Sequence, residues 1–191
     1  MDAKRSLRRE LLAVRRGLPV GDVRSASDAV VASLRVLPEL AGPQAVLLYA
    51  ADPDEVDLGP LLAAPAAGWT VLLPRVDDGE LVAVPHDPEL PLVAGYRGIR
   101  EPVGAAVTDA SISAVIVPGV AFTSRGERLG RGAGLYDRLL MRLGPTVAVG
   151  VCMEPFVRSE LPTEAHDATV DLVVTDASVR RRGDPERPVP A

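Results

Sequence analysis

Apolar residues recur every three or four positions in the first part of the chain. One such stripe runs from Leu7 to Leu18 with basic residues, Arg15 among them, around it. This spacing predicts an amphipathic helix that ends near Pro19. The same spacing from Val23 to Leu37 predicts a second helix, which Pro38 stops.

Further along, the spacing changes to short apolar runs of the length of buried strands. We predict strands at 45–50, 70–74, 81–85, 113–119, 146–152 and 170–176. Helices are predicted between them at 58–68, where two prolines keep the helix short, and at 135–144. Alternating strands and helices predict an α/β fold with a mostly parallel sheet, flanked by helices on both faces in three layers.

Length and composition fit one domain, predicted over residues 1–178. Residues 179–191 are rich in arginine and proline without apolar spacing, and we predict a disordered tail there. The net charge of -5 argues against nucleic acid as a partner. No apolar run reaches the roughly 20 residues that a bilayer requires, so no membrane partner is expected. Nothing indicates export, and we expect a cytoplasmic monomer whose single cysteine, Cys152, is a buried apolar residue.

The segment "RGERLGRGAGLYDRLL", from Arg125 to Leu140, combines glycines, arginines and the start of a helix. Glycine lets backbone amides approach a ligand, and a helix N-terminus adds partial positive charge. Arginines can fork onto phosphate oxygens. The segment is neither a Walker A loop nor a Rossmann fingerprint. On these residues alone, a polyphosphate site and an exposed turn both stay open.

Five segments together carry a resemblance to a known family. They are "KRSLRRE", "DPDEVD", "GIREP", "PGVAFTSRGERLGRGAGLYDRLL" and "HDATVDLVVTD". In this order they resemble the 5-formyltetrahydrofolate cyclo-ligase family, also called 5,10-methenyltetrahydrofolate synthetase, over about residues 3–176. The resemblance implies an architecture similar to that of sugar-phosphate isomerases and CoA transferases.

The resemblance also implies a reaction. The family uses ATP as co-substrate and Mg²⁺ as cofactor to cyclise 5-formyltetrahydrofolate to 5,10-methenyltetrahydrofolate, with release of ADP and phosphate. The formyl oxygen attacks the γ-phosphate, and N10 of the folate then attacks the activated carbon. Such chemistry is mostly positioning and charge neutralisation, which fits a sequence without a recognisable nucleophile and base.

Site residues are likewise implied by position in the family's motifs. Arg131 and Glu55 are the implied catalytic residues. The implied ATP-binding residues are Lys4, Arg5, Ser6, Leu7, Arg8, Arg128, Leu129, Gly130, Arg131, Gly132, Ala133, Gly134, Leu135 and Tyr136. The implied substrate-binding residues are Ala50, Glu55, Arg131, Gly132, Ala133, Gly134 and Leu135, and the implied magnesium ligands are Asp137 and Asp171.

Simpler interpretations exist for several of these residues. Lys4 and Arg8 could belong to a solvated helix face, Glu55 could favour a helix start, and Asp137 could pair with an arginine. Leu135 stands where the family usually has tyrosine, and Pro155 where glutamine is frequent, which affects the expected folate contacts. The two histidines, His86 and His166, have no metal-ligand spacing and are taken as non-ligands.

Two other classes of function are considered. One is a non-catalytic regulator that binds nucleotide or folate. The other is a different enzyme of CoA transferase or sugar-phosphate isomerase type, because a fold alone does not determine chemistry. Formation of the methenyl product separates the cyclo-ligase from a regulator, and dependence of turnover on ATP separates it from the other enzymes.

Overall fold

The fold is described from a computed structural model over residues 3–42 and 44–184. Its helices are α1 Ala3–Arg16, α2 Val20–Arg35, α3 Gly59–Ala63 and α4 Leu135–Arg142. Its strands are β1 Gln44–Leu47, β2 Trp69–Asp77, β3 Glu80–Pro85, β4 Val93–Ala94, β5 Arg100–Glu101, β6 Ala114–Pro118, β7 Ala121–Thr123, β8 Arg128–Leu129, β9 Val147–Val151, β10 Val157–Arg158, β11 Leu172–Val174 and β12 Val179–Arg181. Short 3₁₀ helices lie at Pro38–Leu40, Tyr96–Gly98, Asp109–Ser111 and Glu154–Phe156.

Seven strands form the central sheet in the order β12-β11-β9-β6-β1-β2-β3. The five inner strands are parallel, whereas β3 and β12 pair antiparallel at the two edges. The sequence-based prediction of a mostly parallel α/β sheet flanked by helices is confirmed. The inner strands are continuous apolar runs because the sheet is covered, and Ala114, Val115, Ile116 and Val117 of β6 are fully buried.

A smaller sheet in the order β10-β7-β8, and the hairpin of β4 and β5, were not predicted. Their strands have only two or three residues, too few to show an alternating pattern. The small sheet matters because β8 leads directly into the glycine stretch.

The prediction of a disordered tail from residue 179 is wrong for its first residues. Val179–Arg181 forms β12, which pairs with β11. Arg180 is buried there and forms an ion pair with Glu154. This long-range contact fixes a segment whose own composition carries no strand pattern. Residues 185–191 of the predicted tail lie outside the described residues.

Within residues 3–42 and 44–184, no helix combines the length and the apolar character needed to cross a membrane.

Candidate active site

A cavity of about 580 Å³ lies at the carboxyl edge of the central sheet. Pro118, the last residue of β6, and Glu55, in the loop after β1, both line it. Parallel α/β sheets bind ligands at this edge, beyond the ends of the strands. The remaining walls come from α1, the glycine stretch with α4, and the loop before β11.

The glycine stretch from Gly130 to Gly134 forms one wall of the cavity. Gly132 has a φ of +98° and Gly134, which precedes α4, a φ of +65°. These angles favour glycine. A Cβ on Gly132 would also lie 3.3 Å from the guanidinium carbon of Arg8. The chain therefore needs glycine here both for its turn and for close packing against α1.

The helix α1 presents Lys4 and Arg8 to the same cavity, one turn apart. Arg8 Nε donates to the carbonyl of Gly130 at 2.6 Å. The three residues between them do not line the cavity: Arg5 is exposed, and Ser6 and Leu7 are half-buried. Of the implied basic motif, the structure brings two side chains to the site.

Lys4 is buried and binds two carboxylates of the loop before β11. Its Nζ lies 2.6 Å from Glu164 Oε2 and 2.6 Å from Asp167 Oδ2. Burial lowers the pKa of Lys4, but its hydrogen bonds to Asp167 and Glu164 outweigh burial and raise the pKa above its ordinary value. Burial raises the pKa of Asp167, yet the hydrogen bonds from Lys4 and from the backbone of Glu164, together with the positive charge of Lys4, outweigh burial and leave that pKa below its ordinary value.

Arg131 reaches across the cavity mouth to the acidic loop after β1. Its guanidinium lies 2.9 Å from Glu55 Oε1, 3.0 Å from Asp54 Oδ1 and 3.1 Å from Asp52 Oδ2. The two implied catalytic residues, Arg131 and Glu55, are thus in direct contact.

Arg128 and Asp137 form an almost buried ion pair. Arg128 Nη2 donates to Asp137 Oδ1 at 2.7 Å, and the backbone N–H of Ala168 donates to the same oxygen at 3.2 Å. Arg128 Nε is buried and has no hydrogen-bond partner among the described residues. The alternative considered for Asp137, an ion pair with an arginine, is what the structure shows.

The structure does not bring Asp171 to this site. Asp171 precedes β11, and its Oδ2 accepts a hydrogen bond from the N–H of Ala148, near the start of β9. The cavity lies at the other end of these strands, where Val151 of β9 pairs with Pro118. Asp137 and Asp171 therefore face different ends of the parallel sheet, and the implied magnesium pair is not assembled.

Asp167 occupies the cavity wall instead, together with Glu164 and His166. One possible ligand atom from each of these three residues lies within 4.8 Å of the other two. Asp167 was not predicted as a site residue, although it stands in the segment "HDATVDLVVTD" four residues before Asp171. The prediction that His166 is not a metal ligand stays a prediction.

The cavity is also lined by some of the implied substrate-binding residues and not by others. Glu55, Leu135 and the glycine stretch line the cavity, whereas Ala50 is half-buried and does not. Tyr136 lines it too, with a buried hydroxyl that has no hydrogen-bond partner among the described residues. Burial, followed by the charge of Glu55, raises the pKa of Tyr136 well above its ordinary value, so the hydroxyl is a neutral donor.

Cys152 is buried, as predicted, and burial raises the pKa of its thiol to about 12. A thiol of this kind is a poor nucleophile, because the thiolate is the reactive form.

The chain is similar to known proteins in sequence and in fold. The model of the 5-formyltetrahydrofolate cyclo-ligase family matches residues 1–176. A 5-formyltetrahydrofolate cyclo-ligase of Escherichia coli strain K12 is 28% identical over 174 residues, covering 86% of this chain and 96% of that protein. One from Mycolicibacterium smegmatis is 39% identical over 88 residues, which cover 44% of this chain and 45% of that protein.

A solved structure extends the similarity to the fold. The NMR structure of 5,10-methenyltetrahydrofolate synthetase from Aquifex aeolicus has a TM-score of 0.86 at 38% identity, covering 97% of this chain and 96% of that one. The resemblance predicted from the sequence is confirmed, and the chain belongs to the 5-formyltetrahydrofolate cyclo-ligase family.

Proposed function

We propose that this protein uses ATP and Mg²⁺ to cyclise 5-formyltetrahydrofolate to 5,10-methenyltetrahydrofolate, releasing ADP and phosphate. One observation carries the proposal: a single cavity joins a basic helix face, a glycine stretch before a helix and an acidic residue, Glu55. Its volume of about 580 Å³ falls in the range of small-molecule sites. Membership in the family supports the same reaction.

The phosphates of ATP belong beside the glycine stretch. Backbone amides and the N-terminus of α4 supply partial positive charge, and Lys4, Arg8, Arg128 and Arg131 supply full charges around it. Three of these cations are paired with carboxylates across or beside the cavity. A polyphosphate offers them oxygens of the same charge, so binding exchanges one set of ion pairs for another.

Asp137 and Asp167 fit a magnesium site better than Asp137 and Asp171. Both line the cavity, and the hydrogen bond from Ala168 to Asp137 holds the two segments together. Magnesium usually takes one or two protein carboxylates and completes its shell with phosphate and water. When bound, the ion neutralises charge that develops on the transferring phosphoryl group.

The side chains then have separate tasks. Glu55 holds the folate at the carboxyl end of β1, and Arg131 stabilises negative charge on the γ-phosphoryl group as the formyl oxygen attacks it. ADP leaves, N10 attacks the activated formyl carbon, and the carbon–oxygen bond breaks as phosphate departs. The protein supplies no covalent nucleophile, in agreement with the high pKa of the Cys152 thiol.

The test is turnover of purified protein with 5-formyltetrahydrofolate, followed by the absorbance of the methenyl product near the ultraviolet–visible border. We expect product only when both ATP and Mg²⁺ are present, with one ADP formed for each product. Binding of both ligands without product would identify a regulator instead. Product formed without ATP would exclude the proposed mechanism.

A further inference from the structure

Arg15 is an almost completely buried cation near the end of α1. Only 4% of the residue is exposed. Its Nε donates to the carbonyl of Asp54 at 2.8 Å, and its Nη1 donates to the carbonyl of Gly119 at 2.9 Å. The guanidinium carbon lies 5.8 Å from the centre of the Phe156 ring. These contacts fix the guanidinium between the acidic loop after β1 and the chain after β6.

The third guanidinium nitrogen has a different environment. Arg15 Nη2 has no hydrogen-bond partner among the described residues, and neither has the buried Asp54 Oδ2. Nη2 lies 3.9 Å from Glu55 Oε1, and Nε lies 3.6 Å from Asp54 Oδ2. A buried guanidinium nitrogen without a hydrogen-bond partner is costly, and the two nearby carboxylates offset that cost by charge attraction alone.

Glu55 separates two cavities. It lines the large cavity at the sheet edge, and it also lines a small one of about 10 Å³ that Arg15 borders from the other side. The small cavity has room for about one water molecule, too little for any substrate. Arg15 does not line the large cavity, and so it influences chemistry there through Glu55.

The same oxygen of Glu55 therefore has a guanidinium on each side. Arg131 approaches Oε1 at 2.9 Å from the glycine stretch, and Arg15 approaches it at 3.9 Å from the interior. The side chain of Arg131 is 35% exposed, whereas that of Arg15 is 3% exposed. Arg131 is held by carboxylate side chains, whereas Arg15 is also held by two backbone carbonyls.

We propose that Arg15 is a positioning residue that keeps Glu55 aimed into the large cavity while Arg131 turns to an anionic ligand. The inference rests on the proposed function, because it assigns Arg131 to the phosphoryl group and Glu55 to the folate. Without a second cation, departure of Arg131 would leave Glu55 and Asp54 repelling one another in a poorly hydrated site. Arg15 also holds the backbone of Asp54, so it fixes the place of the loop.

The experiment is a double-mutant cycle of Arg15→Met and Glu55→Gln, with turnover of 5-formyltetrahydrofolate and calorimetric binding of ATP measured for each protein. We expect Arg15→Met alone to lower kcat/KM for the folate by about 10- to 100-fold, the scale of a small misplacement at a reacting centre. Its affinity for ATP stays close to that of the wild type. In the Glu55→Gln background, Arg15→Met causes no further loss, because its effect passes through Glu55.

Arg35→Met is the matched control. Arg35 also donates to two backbone carbonyls, those of Pro60 and Ala64, but it lies on the surface and away from both cavities. We expect it to keep wild-type kinetics. Arg15→Lys keeps the charge with a shorter reach, so it should retain more activity than Arg15→Met, and it replaces that variant in the cycle if Arg15→Met does not fold.

Three results would overturn the proposal. They are unchanged folate kinetics in Arg15→Met, an equal loss of ATP binding and folate turnover, and a full loss that persists in the Glu55→Gln background. Failure of the wild-type protein to form product would instead refute the proposed function, and the two failures are therefore distinguishable.

Discussion

At the scale of single residues, Asp167 and Asp171 are only four residues apart in the sequence but lie in different environments. Asp167 lines the cavity beside Lys4, whereas Asp171 accepts a hydrogen bond at the opposite end of the sheet. Both are aspartates of one segment, and each can be replaced by an amide of the same shape. Replacing each aspartate in turn therefore tests which of the two belongs to the proposed magnesium site.

We predict that Asp167→Asn raises the Mg²⁺ concentration needed for half-maximal turnover by at least about 10-fold, because an amide is a poorer magnesium ligand than a carboxylate. Asp171→Asn should leave that concentration unchanged. Turnover measured against Mg²⁺ concentration for both variants decides the matter. The reverse order of effects would restore Asp171 as the ligand.

Gly132 gives a second prediction at this scale. A side chain at this position meets the guanidinium of Arg8 and is strained by a φ of +98°. Gly132→Val should therefore abolish ATP binding in calorimetry by blocking the approach of phosphate to the backbone.

The matched control for Gly132 is Gly183→Val. Gly183 has a φ of +101°, and a Cβ there has open space around it. It carries the same backbone strain away from the cavity, so Gly183→Val should lose stability and still bind ATP normally. Wild-type ATP affinity in Gly132→Val would show that phosphates do not bind at the glycine stretch.

At the scale of elements, α1 is attached to the rest of the molecule by charged side chains rather than by an apolar stripe alone. Lys4, Arg8, Leu11 and Arg15 lie along one face, and all but Leu11 bind oxygen atoms of distant segments. Val14, which the apolar pattern places with the core, is 52% exposed. Lys4 and Arg8, which attach α1 to the rest of the molecule, therefore also line the cavity.

This attachment predicts a pH-dependent stability. The lowered pKa of Asp167 means that its contribution is present above its ordinary value of about 4 and is lost as pH falls through the folded-state pKa. The raised pKa of Lys4 means that its contribution is present below about 10.5 and is lost as pH rises through the folded-state value. The Lys4 contacts therefore stabilise the protein fully between these limits.

Lys4→Met should lower the free energy of unfolding by about 1–3 kcal/mol at pH 7, since it leaves two carboxylates without their cation. The difference from the wild type should shrink below about pH 4, as the carboxylates are protonated. Urea unfolding of both proteins at a series of pH values measures this difference in the free energy of unfolding. A difference that stayed constant down to pH 3 would mean that Met weakens packing rather than charge pairing.

At the scale of the whole molecule, the hydrophobic patterns along the sequence were sufficient to predict the layers of the fold. The strands of the central sheet other than β12 stand out as continuous apolar runs and the two N-terminal helices by their helical spacing, and their positions were predicted from the sequence. The short strands β7, β8, β10 and β12 were not, because two or three residues show no period and tertiary contacts define them.

The site was predictable where its residues are neighbours in sequence and not where they meet only in space. The glycine stretch is one continuous segment, so its composition singled it out as a candidate phosphate site or an exposed turn, and the structure places it in the cavity wall. Arg15 was assigned with the basic residues around the apolar stripe of α1, yet it is buried. Asp167 meets Lys4 across 163 positions of sequence, a separation that no local pattern reveals.

That separation also determines when during synthesis the site can exist. A chain emerging from the ribosome contains α1 before it contains the carboxylates that hold Lys4, which come 160 and 163 residues later. Domains generally fold as units once their sequence is available. A nascent chain that stops before Glu164 has its basic helix face and glycine stretch, yet it lacks the contact that closes the cavity between them. The proposed ligand site therefore requires the segment that carries Glu164 and Asp167 in addition to the earlier segments that line the cavity.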